Sequence, residues 1–183
     1  MGLDQYLYKK TYVKQWSHQK PEDRNEVIVK KGGKIVEGIK PERISEVVEE
    51  VACWRKANQI HKWFVDNVQN GEDDCAEHYV DDSKLKELLA LTEQILANSK
   101  LVKGKVENGQ RATANGWEPI MEDGKYIKDP KVAKKLLPVA EGFFFGATNY
   151  DEWYLDQIRY THDTIKALLA EGLHGDYYYD SSW

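Results

Sequence analysis

The segment from Val51 to Val65 constrains the fold more than any other part of the chain. At about 100° per residue, one helical face of this region is apolar except for two polar side chains. That face is formed by Val47, Val51, Trp54, Asn58, His61 and Val65. Ile60, Trp63 and Phe64 point elsewhere, so the second half of the segment is apolar nearly all round. The pattern therefore predicts a helix that is buried on more than one side.

The two polar residues within this apolar stripe, Asn58 and His61, lead to two interpretations. A buried Asn or His destabilises a fold unless it is hydrogen-bonded, so each needs a partner. In the first interpretation they are polar core residues that hold loop backbone. In the second, they line a pocket together with Trp54 and Arg55.

The remaining pattern predicts an α+β fold, with a small antiparallel sheet packed against about three helices. Strands are predicted at Gln5–Val13, in a hairpin over Glu26–Val36 that turns at Gly32-Gly33, and at Gly142–Gly146. Helices are predicted from Pro41 to about Asn70-Gly71, from Asp82 or Ser83, from Asp129 to Leu137, and from Tyr150 to Glu171. The Tyr177–Tyr179 segment is predicted to be an edge strand or a packed tail.

The chain of 183 residues is expected to form a single domain over residues 1–183. Residues 99–135 are predicted to form a hairpin-rich insertion, because three turn dipeptides separate short β-prone pieces. These dipeptides are Asn108-Gly109, Asn115-Gly116 and Asp123-Gly124. We expect one or two hairpins that form a flap on the main body.

Composition and charge restrict the partners. No run approaches the roughly 18 apolar residues of a membrane span, and the start of the chain does not resemble a signal peptide. The net charge of −5 argues against a long nucleic acid. Residues 1–40 nevertheless carry nine Lys or Arg against five Asp or Glu, which favours a basic patch for a small anionic ligand. The cytoplasm is the expected compartment, since only two cysteines are present.

The sequence contains no recognisable cofactor motif. Phosphate-binding glycine loops of the P-loop or dinucleotide type are missing, so we expect no cofactor. Asp74, Cys75 and His78 can form half of a metal site. Without a second half at a recognisable spacing, we expect no metal and interpret the acidic run as a solvated loop.

Three blocks of the sequence resemble a family of small proteins encoded by tailed bacteriophages. The blocks are MGLDQYLYKKTYV at the start, WRKANQIHKWFV at 54–65, and GFFFG at 142–146, the last followed by YDEWY. The resemblance covers residues 1–98 and 136–170, and the stretch between them is longer here than in the relatives. It implies a protein that acts in the cytoplasm of an infected bacterial host. Phage accessory proteins of this size and context include sponges that sequester host immune signals such as cyclic nucleotides or ADP-ribose derivatives.

The residues and the resemblance together favour a module that binds a small, anionic, nucleotide-like ligand. Cations would meet its phosphates, an indole would stack on its base, and an amide would read the base edge. The candidate residues are Lys9, Lys10, Trp54, Arg55, Lys56, Asn58, His61 and Trp63. The first alternative is an enzyme that modifies such a nucleotide with His61 as general acid or base. The second is a host-takeover or structural adaptor with a tyrosine-rich contact surface, and the formation of a homo-oligomer is left open.

Overall fold

The computed structural model describes residues 2–114, 116–142 and 145–183, except that it describes only the backbone of Trp117. The strands are β1 Asp4–Tyr12, β2 Lys30–Lys31, β3 Lys34–Ile35, β4 Glu46–Arg55, β5 His78–Val80, β6 Leu101–Thr113, β7 Gly116–Ile127 and β8 Asp176–Ser182. The helices are α1 Asn58–Asn67, α2 Asp82–Asn98, α3 Lys131–Leu136 and α4 Glu152–Glu171. The predicted α+β class is confirmed.

A four-stranded antiparallel sheet, in the order β4-β1-β8-β5, organises the fold. Alternate residues of its strands face the helices, as a strand periodicity of two requires. These inward residues form one apolar core with the helices, and they include Leu7, Ala52, Trp54, Val80, Tyr177 and Tyr179. The opposite face carries Tyr6, Tyr8 and Tyr178, which are half-buried.

The prediction of one long helix from Pro41 is wrong. Pro41–Arg43 forms only a single 3-10 turn, and the chain then extends as β4 before α1 begins at Asn58. The valines of this region fit a helical stripe, but β-branched residues also favour strands. Pairing with β1 determines the outcome, because it turns Ala52 and Trp54 inward together at a spacing of two. A periodicity argument alone does not separate these alternatives.

Several shorter elements follow their predicted signals. β1 confirms the N-terminal strand, and the hairpin of β2 and β3 turns at Gly32 and Gly33, whose φ angles are 57° and 81°. The helix predicted at 129–137 is confirmed as α3, within one or two residues. α2 begins where expected, although its N-cap is Asp81, whose Oδ1 accepts a hydrogen bond from the Ser83 amide at 2.8 Å.

The predicted flap is one long hairpin of β6 and β7. Asn108-Gly109 lies at an irregularity in β6, and Asp123-Gly124 lies within β7, so neither dipeptide forms a separate turn. The third dipeptide includes Asn115, which lies outside the described residues. At the base of the hairpin, the Ile127 amide donates to the Tyr150 carbonyl at 2.9 Å, which joins the flap to the start of α4.

The C-terminal tyrosine segment is neither an edge strand nor a tail. It forms β8, which lies between β1 and β5 inside the sheet. Tyr177 and Tyr179 are therefore core residues, and only Tyr178 faces outward. The strand predicted at 142–146 includes Phe143 and Phe144, which lie outside the described residues, while Gly142, Phe145 and Gly146 belong to no strand.

Within the described ranges, no helix is long and apolar enough to cross a membrane.

Candidate functional site

The residues of the predicted pocket do not line one common cavity in the structure. Trp54 lies at the end of β4 with 1% of its surface exposed. Its Nε1 donates to Thr161 Oγ1 at 2.9 Å, and its ring contacts Phe64 and Tyr160 at centroid distances of 6.0 and 6.1 Å. Trp54 thus joins the sheet to α1 and α4. Because it belongs to a strand and Asn58 to a helix, the prediction that they share one helical face is wrong.

Asn58, the first residue of α1, holds the backbone of the segment that leads to α4. Its Nδ2 donates to the carbonyls of Phe145 at 3.2 Å and Ala147 at 3.0 Å, and its Oδ1 accepts from the Ala140 amide at 3.0 Å. All three bonds go to backbone, and 1% of the residue is exposed. The interpretation in which Asn58 anchors a loop therefore agrees with its contacts.

His61 lies in a buried chain of polar side chains, with 2% of its surface exposed. Its Nε2 is 2.8 Å from Asp73 Oδ2, and its Nδ1 is 2.9 Å from Tyr179 Oη, which donates to Gln5 Oε1 at 3.1 Å. Trp183 Nε1 donates to the other Asp73 oxygen at 3.1 Å. Burial raises the pKa of Tyr179 well above its usual value, and the charge of Asp73 adds to this effect.

The arrangement around His61 connects the two ends of the chain. Gln5 belongs to β1, Tyr179 to β8 and His61 to α1, and the Gln5 Nε2 donates to the Ala57 carbonyl at 3.2 Å. Each ring nitrogen of His61 already has a partner within the protein. The geometry therefore gives His61 a role in holding α1 on the sheet.

Three of the predicted cations are paired with carboxylates. Arg55 Nε lies 3.5 Å from Asp4 Oδ1, and Lys9 Nζ lies 3.7 Å from Glu49 Oε2. Lys10 binds Glu77 and also lies over the Tyr178 ring, with Nζ 4.3 Å from the centroid. The hydrogen bond to Glu77 raises the pKa of Lys10, while partial burial acts in the opposite direction. These pairs do not gather at one place, since Lys10 and Arg55 lie near opposite ends of β1.

Lys56 differs from the other cations because it lies in a groove and makes no ion pair with the described residues. Its backbone adopts the left-handed conformation, with φ at 57°, and its amide donates to the Leu3 carbonyl at 2.7 Å. A residue other than glycine in this conformation is strained, and such strain is common at functional sites. Gly146 approaches so closely that a Cβ there would lie 2.9 Å from Lys56 Cβ.

The groove beside Lys56 has a volume of about 560 Å³. The turn between β4 and α1, the irregular part of β6, the segment before α4 and the first turn of α4 form its walls. The lining residues are Lys56, Glu107, Asn108, Gly109, Gln110, Gly146, Ala147, Asp151 and Trp153. Asn58 does not line the groove, but it holds Ala147, and so it positions one wall. The volume falls within the usual range of roughly 300–1,000 Å³ for small-molecule sites.

Trp153 is the groove residue that the sequence analysis missed. Its side chain is 55% exposed, although it lies at the start of a helix that buries Tyr154 and Leu155. The helical periodicity already contained this signal, because Trp153 falls outside the apolar stripe of α4. Neighbouring Asp151 caps α4, with its Oδ1 accepting from the Tyr154 amide at 3.0 Å.

A metal centre finds no support in the parts of the chain that the structure describes. They contain no group of three or more His, Cys, Asp or Glu side chains that could hold a metal ion. His78 Nε2 lies 2.9 Å from Asp74 Oδ1, and Cys75 is exposed. This hydrogen bond lowers the pKa of Asp74, in agreement with a local turn contact.

Comparisons with known proteins gave no match among family models, curated proteins or solved structures.

Proposed function

We propose that this protein binds a small nucleotide-like molecule in the groove between the β6–β7 hairpin and the start of α4. The observation that carries the proposal is the presence in one groove of an exposed indole and an amine without an ion-pair partner among the described residues. The groove thus combines the cationic and aromatic chemistry that the sequence analysis anticipated. It does so with Lys56 and Trp153 instead of Arg55 and Trp54.

Trp153 would provide the stacking surface. The Trp153 side chain is 55% exposed and lines the groove, so its ring is accessible to a ligand there. Stacking of a base on an aromatic side chain contributes about 1–3 kcal/mol and tolerates different bases, because every base has a π face. In this proposal an adenine or guanine ring stacks on Trp153.

Lys56 would meet an anionic group, and one of the two carboxylates of the groove would accept a hydrogen bond from a ribose hydroxyl. A lysine amine acts as a compact positive charge for phosphate. Glu107 and Asp151 line the same groove, and carboxylates accept hydrogen bonds from ribose hydroxyls in other nucleotide sites. The two carboxylates outnumber the one amine, so the groove disfavours a ligand with several negative charges. A cyclic mononucleotide fits this requirement better than a multiply charged ligand.

Binding without chemical change is the activity that we favour. The enzyme alternative assigned acid–base chemistry to His61, which does not line the groove and has both ring nitrogens engaged. The adaptor alternative relied on the C-terminal tyrosines, two of which pack in the core. Together with the resemblance to phage proteins, this supports sequestration of a host signalling nucleotide in the cytoplasm of an infected bacterium.

Calorimetric titration with four probes tests the proposal: adenosine, a cyclic mononucleotide, a cyclic dinucleotide and ADP-ribose. We expect saturable binding, strongest for the probe with one negative charge. Trp153→Ala should weaken it about 5- to 150-fold, as the loss of one stacking contact predicts. Trp16→Ala is the matched control, because Trp16 is also about half exposed (48%) and does not line the groove.

A second pair of variants tests the charge contribution. Lys56→Ala should weaken the charged probes and leave adenosine nearly unchanged, whereas Lys86→Ala, at an exposed position on α2, should change neither. Chromatography of the probe after heat denaturation should return it intact. The absence of binding for all four probes would refute the proposal, and product peaks that grow with time would support the enzyme alternative.

A further inference from the structure

The outer face of the four-stranded sheet is open to solvent and rich in tyrosine. The strand register turns five tyrosines away from the helices and onto this outer face, namely Tyr6, Tyr8, Tyr12, Tyr79 and Tyr178. Two of them are more than half exposed, Tyr12 at 58% and Tyr79 at 54%. Tyr6 stacks on Tyr8 with centroids 5.9 Å apart, and Tyr79 meets Tyr178 edge-on at 5.7 Å. An exposed surface of this kind is typical of an interaction site.

Carboxylates without ion-pair partners lie among these rings. The outer face carries four that make no ion pair with the described residues, namely Glu46, Glu50, Asp176 and Asp180. Lys10 and Arg55 share the face, but each already binds a carboxylate, Glu77 and Asp4 respectively. The outer face therefore combines aromatic rings with uncompensated negative charge, which suits a partner surface that is both apolar and basic.

The segment of residues 13–45, here called the arm, has this complementary chemistry. It connects β1 to β4 through the β2–β3 hairpin, and none of its residues is buried. It contains eight Lys or Arg against five Asp or Glu, a net charge of +3, which leaves −8 for the rest of the chain. Five of its large apolar side chains are 39–65% exposed, namely Trp16, Ile28, Val29, Ile35 and Ile39. The arm thus presents an apolar and basic surface to solvent.

The β2–β3 hairpin brings the two chemistries of the arm together. Lys30 pairs with Ile35, and Lys31 pairs with Lys34, so three lysines lie beside an isoleucine that is 65% exposed. Ile28 is also 47% exposed, so the arm does not bury these side chains against its own sheet. A two-stranded hairpin by itself is only marginally stable in water, and packing on another surface stabilises it.

We propose that the outer sheet face binds the arm of a second copy of this chain. Ile28 and Ile35 pack on the tyrosine rings of the partner copy, and the hairpin lysines meet its unpaired carboxylates. The charges favour this occupant, since the arm and the rest of the chain have opposite net charges. A nucleic acid suits the arm less well, because the arm also carries five acidic side chains and exposes isoleucines that phosphates do not bind.

Two copies that exchange arms cover both outer faces, so the contact closes into a symmetric dimer. The groove of the proposed nucleotide site contains no residue of the arm or of the outer face. The dimer therefore goes beyond the proposed nucleotide binding and does not depend on it.

Sedimentation equilibrium of the full chain over a range of concentrations tests the proposal. We expect a dimer, which the double variant Ile28→Ser, Ile35→Ser weakens about tenfold or more, because both side chains lose their apolar contacts. Its melting temperature at a concentration where the wild type is monomeric should not change, since both positions are exposed. Ile120→Ser is the matched control, because Ile120 is 38% exposed on β7 and lies outside the arm and the outer face, and it should preserve the dimer.

Charge reversal identifies which two surfaces meet. An arm variant, Lys30→Glu with Lys34→Glu, should not associate with itself, and neither should a face variant, Glu46→Lys with Glu50→Lys, because each places like charges opposite each other. An equimolar mixture of the two variants should form a heterodimer, since each arm then meets a face of opposite charge. All four positions are exposed, so both variants should fold as the wild type does.

Three results would overturn the proposal. The first is a wild-type chain that stays monomeric at every concentration, including one that instead sediments with vesicles of anionic phospholipid. The second is a dimer that the isoleucine variant leaves intact. The third is a mixture of the arm and face variants that fails to associate although the wild type forms a dimer.

Discussion

Replacement of Asn58 by alanine tests how the loop that leads to α4 is held. The three bonds of the Asn58 amide go to Ala140, Phe145 and Ala147, at 3.0–3.2 Å. Two carbonyls on one side and one amide on the other define the orientation of the side-chain amide. Alanine removes all three bonds at once and leaves three backbone groups without these partners.

The expected loss of stability follows from the number of bonds. Each hydrogen bond contributes about 1 kcal/mol net, so the three together contribute about 3 kcal/mol. Alanine has a higher helix propensity than asparagine, which stabilises α1 by roughly 0.5 kcal/mol and offsets part of this loss. The free energy of unfolding should therefore fall by about 2–3 kcal/mol. For a chain of this size, that corresponds to a decrease in melting temperature of roughly 4–12 °C.

Urea denaturation and thermal melting measure this effect directly. Asn67→Ala is the matched control, because Asn67 lies on the same helix but makes one bond, to the Trp63 carbonyl, and is only half-buried. We expect it to lower the stability by about 1 kcal/mol or less. If Asn58→Ala has no larger effect than Asn67→Ala, the segment is held by other contacts, and our explanation of Asn58 is wrong.

Two further predictions concern the sheet. Burial, followed by the charge of Glu77, raises the pKa of Asp180, so its ionised form opposes folding. Asp180→Asn should therefore raise the melting temperature at pH 7, and the gain should vanish as the pH falls below about 4, where Asp180 is protonated in the unfolded chain as well. A gain that is independent of pH, or that Asp176→Asn equals, would contradict this explanation. Trp54→Phe and Thr161→Val each remove one side of a buried bond and should each lower the stability by about 1–3 kcal/mol. The double variant should lose less than the sum of the two, and strict additivity in a double-mutant cycle would show that the bond contributes nothing.

Elements with a local signal could be predicted from the sequence. The glycines of the β2–β3 turn and the apolar stripe of Leu85 and Leu88 on α2 depend on residues close in the chain, although the α2 cap is Asp81 and not Asp82 or Ser83. Their energies are decided within a few residues, so pattern and propensity suffice.

The order of the sheet could not be predicted in the same way. β4 reads as a helix because Val47, Val51 and Trp54 repeat at helical spacing, and only pairing with β1 makes it a strand. The same applies to β8, which becomes a central strand because β1 and β5 both pair with it. Such pairings join residues far apart in the chain, and local propensity does not contain them.

The candidate site shows a similar division. The cationic and aromatic chemistry was predicted, and Lys56 lies in the groove, but Trp153 and the β6 residues come from segments about 50–100 positions away. Asn58 was identified as a polar residue that needs partners, and these partners belong to the segment that forms one groove wall. Of the predicted site residues, Lys56 lines this groove, and the fold determines which other residues surround it.

The central claim is that the groove beside Lys56 and Trp153 binds a nucleotide-like ligand. Chemical-shift mapping of the labelled wild-type chain during titration with a cyclic mononucleotide tests it most directly. We predict that the largest shifts cluster at Lys56, Gly109, Gly146 and the indole of Trp153, with none at the buried Trp54 indole. Shifts centred on the outer sheet face around Tyr8 and Tyr178, or no saturable shifts at all, would contradict the account.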